Sequence, residues 1–254
     1  MKTIILCLAM ISLAVSQKPA LQKDRQVLFD FRVADEATPP KVARATERMI
    51  LSKVFRKYLT DANHCNSEQI DSGDADPLAA ARKAGQMVPS IEDIETGSFT
   101  APGQSQTLYV ISVSECNASH ADNFGTKRVT IFSGQQLVAD VDADFARNVI
   151  KKTDLNSDGV DELLMTTGDM AQGTLTEMAT LVSFQDGRRQ VIQEFGSVVL
   201  DSCASGFPNS TSEASVIYIS DVVPGTMPKI TQENYSSSCR QTKRWRLVSR
   251  GKKE

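Results

Sequence analysis

Asn148-Val-Ile-Lys-Lys-Thr-Asp154-Leu-Asn156-Ser-Asp158-Gly159-Val160-Asp161-Glu162-Leu-Leu-Met-Thr-Thr167 reads as two strand-like flanks joined by an acidic turn. Asp154, Asn156 and Asp158 are spaced by two, Gly159 follows, and Glu162 ends the turn. Side-chain oxygens at the first, third and fifth loop positions converge only when the chain curls tightly, and glycine at the sixth permits the curl. A hard cation such as Ca2+ takes about six to eight oxygens at short range. The spacing therefore predicts Asp154, Asn156, Asp158, the carbonyl of Val160 and Glu162 as ligands, with Glu162 closing the cage directly or through water. Asp161 is read as additional, solvated charge. An Asx-rich turn without metal explains the bend but not the ligand spacing.

The stretch is not an EF-hand, which needs a glutamate at its twelfth position, where Met165 stands, and helices rather than strands on both sides. Asp154-Leu-Asn-Ser-Asp-Gly-Val-Asp-Glu-Leu-Leu164 resembles the calcium loop of FG-GAP and VCBS-type repeats, the blades of integrin-like β-propellers and of many secreted bacterial proteins. The resemblance covers residues 128–196, about one blade. It implies a metal-bound turn between two β-strands and carries the metal role onto Asp154, Asn156, Asp158, Val160 and Glu162. The chain lacks the FG-GAP dipeptides and has one such loop, whereas a closed propeller needs several blades.

Outward from the loop, short strand-like segments recur. Residues 107–113, 128–132, 137–141 and 147–152 precede it, and 162–166, 175–184, 190–195, 215–220, 229–235 and 244–248 follow. Gln185-Asp186-Gly187-Arg188 is a hairpin signal. Residues 26–33 alternate, with Val27, Phe29, Phe31 and Val33 on one face and Asp30 and Arg32 on the other. Pro39-Pro40 opens an amphipathic helix to about Leu59, with Val42, Ala45, Met49, Ile50, Val54 and Tyr58 as its core stripe. A short helix over 78–84 follows Asp76-Pro77, and the chain is loop-like up to about Gly103. The expected fold class is mainly β (α+β). It is an antiparallel sheet assembly resembling one or a few propeller-like blades, with the N-terminal amphipathic helix packed on it. Three segments are expected: a signal peptide at 1–16, a helix-containing region at 17–104 and a β-rich calcium-loop domain at 105–250.

Lys2, the apolar run from Ile4 to Val15 and the small residues Ala14-Val15-Ser16 form a secretory pattern too short to span a bilayer comfortably. A secreted, periplasmic or extracellular protein with no stable membrane span after cleavage is expected. The 254 residues are 41% apolar and 23% charged, and their net charge of −3 gives no electrostatic reason to expect nucleic acid. Cys65, Cys116, Cys203 and Cys239 remain after signal removal. An even count in an exported chain suggests two disulfides, and short loop closure favours Cys65–Cys116 with Cys203–Cys239 among the three pairings. Sequons at Asn117, Asn209 and Asn234 mark candidate surface loops.

No catalytic set stands out. His64 and His120 are the two histidines; no GxSxG elbow accompanies them, and no lysine completes a phosphate loop at 167–173. Asp140, Asp142 and Asp144 share a strand face and suit either a carboxylate pair or a solvated row. The reading is an exported, non-enzymatic, calcium-stabilised binding or structural module with an unidentified protein or carbohydrate ligand. The alternatives are a secreted hydrolase with a structural calcium site, using Asp140, Asp142 or His120, and an adhesin-like protein whose metal is completed by a partner.

Overall fold

The computed structural model describes residues 25–33, 40–54, 87–115, 126–143, 146–239 and 244–250. The signal segment, the helix expected at 78–84, His64, His120, Asp144, Cys65, Cys116 and Asn117 lie outside the described residues. The elements are β1 (Gln26–Asp30), α1 (Arg44–Val54), β2 (Met87–Gly97), β3 (Gln106–Glu115), β4 (Thr126–Ser133), β5 (Gln136–Asp142), β6 (Asn148–Thr153), β7 (Glu162–Ala171), β8 (Thr174–Ser183), β9 (Gln190–Asp201), β10 (Thr211–Ser220), β11 (Lys229–Ser238) and β12 (Arg246–Arg250). Every ladder is antiparallel. The fold is mainly β, as the alternating segments lead one to expect.

Two sheets form from successive hairpins. β2-β3-β4-β5 make a four-stranded sheet, and β12-β11-β10-β9-β8-β7-β6 make the second, with β1 added beside β10. The apolar run of β3 explains how they pack. Alternate side chains of a strand point to opposite faces. Leu108 and Val110 join Val129, Ile131, Leu163 and Met165 in the core between the two sheets. Tyr109 and Ile111 face the other way, against Phe132 and the Ile50 and Leu51 of α1. The four-stranded sheet is thus covered on both faces, and its central strand is continuously apolar for that reason. The larger sheet also has two buried faces at β7. Leu164 points away from Leu163 and Met165, into a second core with Leu28, Leu181, Phe195 and Ile217, and the sheet curls around it as a half-barrel.

Three expectations change at this level. The helix spans Arg44–Val54 rather than starting at Pro39-Pro40, and it follows β1 in the order the sequence suggests. Its stripe is centred on Ile50 and Leu51, while Ala45 is exposed. Residues 87–97, read as loop, are the edge strand β2. Pro89 is compatible with an edge strand because such a strand has one side free of ladder bonds, and a bulge between Ile91 and Asp93 breaks the alternation that would have marked it. β1 has the opposite fault. Strict alternation would bury Val27 and Phe29, but a bulge between those residues leaves Val27 56% exposed and puts Leu28 and Phe31 inside, both 6% exposed.

β1 occupies an unusual place. β9 pairs with β10 only at Ser212, Glu213 and Ala214, and β1 takes over the same edge of β10 from Val216 to Ile219. Leu28 and Phe31 there fill the inside of the curl. At the other end, Cys203 and Cys239 form the expected disulfide, tying the β9–β10 connection to the end of β11. Asn209 is exposed on a turn, but Asn234 lies within β11 with its side chain bonded to Ser215, Gln232 and Ser249. Of the two described sequons, only Asn209 marks a loop.

Candidate metal centre

Thr153 pairs with Glu162, so residues 154–161 form the connection between β6 and β7 that the sequence reading placed there. Its curl is built from the acidic side chains themselves. Asp154 Oδ1 and Oδ2 accept from the N–H groups of Asp158 and Gly159 at 3.1 and 2.9 Å. Asn156 Oδ1 also accepts from Asp158 N at 3.1 Å, and Asp158 Oδ1 accepts from Val160 N at 2.8 Å. Gly159 sits at φ +85°, and a Cβ on it would stand 2.9 Å from Pro102 Cβ. Conformation and space both call for glycine there. Leu155 and Val160 are buried and anchor the turn from beneath.

Glu162 is 2% exposed and its Oε2 accepts from Leu155 N at 2.7 Å. Burial pushes its pKa up to about 7; the Leu155 N–H pulls it down, and the charges of Asp158 and Asp154 push it up again. Among the described residues no ion pair reaches Asp154, Asp158, Asp161 or Glu162. Lys152, next to the loop, turns to the Thr96 carbonyl and to Glu95 on β2. Four carboxylates within nine residues therefore form no ion pair among the described residues.

Among the described residues no three Asp, Glu, His or Cys side chains converge into a closed cation cage. The loop oxygens are engaged with N–H groups of the loop instead. An ionised carboxylate has about four lone-pair sites, so Asp154 retains acceptor capacity after its two N–H bonds, as does Asp158 after its two, from Val160 N and Asn156 Nδ2. The donor set (carboxylates, an amide oxygen and a carbonyl) is the hard-oxygen chemistry that suits calcium. Asp154, Asn156, Asp158, Val160 and Glu162 fit such an ion chemically, and Glu162 is the group that gains most, because a cation would compensate its buried charge.

Asp161 is not the solvated charge the sequence suggested. Its N–H donates to Ser98 O at 2.7 Å and its Oδ2 accepts from Ser98 N at 2.8 Å, so it docks the loop on the β2–β3 connection. From the other side Gly225 N, in the β10–β11 connection, donates to Asn156 O at 2.5 Å. Sequence spacing could not reveal these docking partners, which come from distant turns. Gly97 makes the first one possible, since a Cβ there would stand 2.4 Å from Asp161 Oδ2. Gly97→Ala is expected to cost about 1–3 kcal/mol, the range for overpacking a tight contact. Urea denaturation checks it, and an unchanged midpoint would show that the loop does not need this contact.

The other sequence candidates fare differently. Asp140 is exposed and paired with Arg128 Nη2 at 2.7 Å. It lies on an open strand face, together with Asp142. No family model, no curated protein and no solved structure matches the chain.

Proposed function

We propose that residues 154–162 bind one calcium ion, and that the ion locks the β6–β7 turn of an exported β-sheet module whose role is binding or structural. The observation that carries this is Glu162, a carboxylate buried beside Asp154 and Asp158 with no basic partner among the described residues. The two docked turns support a structural role for the ion, because fixing the loop also fixes the β2–β3 and β10–β11 connections. The likeness to FG-GAP and VCBS-type loops rests on the spacing. It is supported by a four-stranded meander packed face to face on β7 and β8. The larger sheet runs uninterrupted as a half-barrel and is not divided into four-stranded blades, so the likeness is confined to the loop and the smaller sheet. Among the described residues no helix is long and apolar enough to cross a membrane, and export rests on the N-terminal sequence pattern. The hydrolytic reading on Asp140 loses support from that residue's exposure and its ion pair.

A thermal melt of the mature chain with excess calcium, and then with EDTA, tests the proposal. Calcium at 100 times its Kd adds about 2.7 kcal/mol, or roughly 5–11 °C for a domain of this size. Asp154→Ala and Asp158→Ala are expected to remove the shift. Equal melting with calcium and EDTA would reduce the loop to a hydrogen-bonded turn.

A further inference from the structure

Ser90, Ser112, Lys127 and Ala143 form one lateral row across the four-stranded sheet. Ser90 pairs with Ser112, Ser112 pairs with Lys127, and Ala143 N donates to the Lys127 carbonyl at 3.0 Å. The row extends the face that carries Leu108 and Val110 on β3 and Val129 and Ile131 on β4, two residues further along each strand. At its centre Lys127 Nζ is hydrogen-bonded to Ser112 Oγ. Lys127 is 7% exposed and Ser112 is 4% exposed. Lysine is almost never this buried unless a carboxylate pairs with it. Among the described residues no carboxylate forms an ion pair with Lys127. Ser90 is engaged elsewhere, donating to Glu92 Oε1 at 2.7 Å.

The next residue in the row, Ala143, also lines a cavity of about 350 Å³. Met165, Val182 and Phe184 line it on the apolar side, Thr167 and Thr180 line it too, and Arg189 and Glu194 are its charged lining. The volume is at the small end of the ligand-site range. The β8–β9 ladder that bounds it carries three register shifts, between Glu177 and Met178, Ala179 and Thr180, and Leu181 and Val182. Bulges concentrate beside binding and active sites because they re-aim side chains.

We propose that Ser112 and Lys127 are the nucleophile and general base of an acyl-transfer site that hydrolyses a carboxylic ester, with the apolar acyl group seated in the neighbouring cavity. Burial lowers the pKa of Lys127, the charge of Glu92 raises it and that of Arg147 lowers it. The net direction favours the neutral amine, whose lone pair accepts a proton. The hydrogen bond then reverses, and Ser112 donates to Nζ. As Oγ bonds to the ester carbonyl carbon, its proton passes to Nζ. When the tetrahedral adduct collapses, the bond to the alcohol oxygen breaks and the alcohol takes that proton. Water then attacks the acyl-serine, giving a proton to Nζ, and Ser112 recovers it as the carboxylic acid leaves. No redox partner is needed. The site is independent of the calcium loop, which in this setting supports the scaffold.

The test is incubation of the full mature chain with an alkyl fluorophosphonate and mapping of adducts by peptide mass spectrometry, beside hydrolysis of p-nitrophenyl butyrate. The expected result is an adduct on Ser112, absent from Ser112→Ala. Lys127→Met is expected to lower labelling and hydrolysis by about 100-fold or more, the range for loss of a general base. Labelling of the folded wild-type chain decides the matter however the variants fold. An unlabelled Ser112 would make the pair a buried structural contact and overturn the proposal. Labelling of Lys127→Met at the wild-type rate would overturn the role of the lysine.

Discussion

Phe99→Ala is expected to lower the stability of the mature chain by about 3–5 kcal/mol, the usual cost of removing a fully buried aromatic ring. Phe99 has no exposed surface and belongs to the core between the two sheets. It lies in the β2–β3 connection rather than in a strand, and the backbone around it is held by one side chain. Gln106 Oε1 accepts from the N–H groups of both Phe99 and Thr100 at 2.9 Å, and its Nε2 donates to Thr100 Oγ1 at 2.6 Å. A connection fixed this firmly has little freedom to close over a void, which places the cost at the upper end of the range. The same connection carries Ser98, the partner of Asp161. Phe99→Ala is therefore also expected to weaken the proposed calcium binding, read by titration calorimetry of wild type and variant. A loss under 1 kcal/mol in urea denaturation would mean that the two sheets do not share this core.

Replacing both Cys203 and Cys239 by serine is expected to cost about 4 kcal/mol, from the chain entropy that a cross-link removes from the unfolded state. The cysteines are 36 residues apart. The bridge also supports more than its own loop. Gly173, at the tip of the β7–β8 hairpin, packs so closely on the β9–β10 connection that a Cβ would stand 2.6 Å from Ala204 O. Release of Cys203 is expected to loosen that tip, and amide exchange at residues 172–175 checks it. Equal urea midpoints for the disulfide-bonded wild type and the double variant would show that the bridge constrains nothing in the unfolded chain.

Much of the sheet was legible in the sequence. β4, β5, β8 and β9 follow from short apolar runs broken by Ser-Gly and Asp-Gly turns. Asp186 and Gly187 both take positive φ there, as the hairpin signal requires. β2 was hidden because Pro89, Glu92, Asp93 and Glu95 resemble a loop, and only its place at the edge of a sheet, with Asp93 Oδ2 accepting from Val149 N at 2.6 Å, accounts for them. The residues proposed to hold calcium could be named because they lie close together in the sequence and their spacing is their signal, and the structure places them in the β6–β7 turn. Ser112 and Lys127 were not. They belong to different strands, and neither has a neighbour in the sequence that hints at the other. Asp161 was misread for the same reason, since what fixes it is Ser98.

The position of β1 has a consequence for how the molecule is made. Among the described residues β1 pairs with β10 alone, with Asp30 opposite Val216. About 190 residues separate Asp30 from its partner Val216, and they must be made before that strand can pair. Contacts so distant along the chain form slowly, because loop closure precedes the reward for pairing. Until then the inside of the curl lacks Leu28 and Phe31, and the edge of β10 is bare. An early strand thus seals the curl late, and a chain made only as far as β9 carries an open seam for chaperones or for other chains to find.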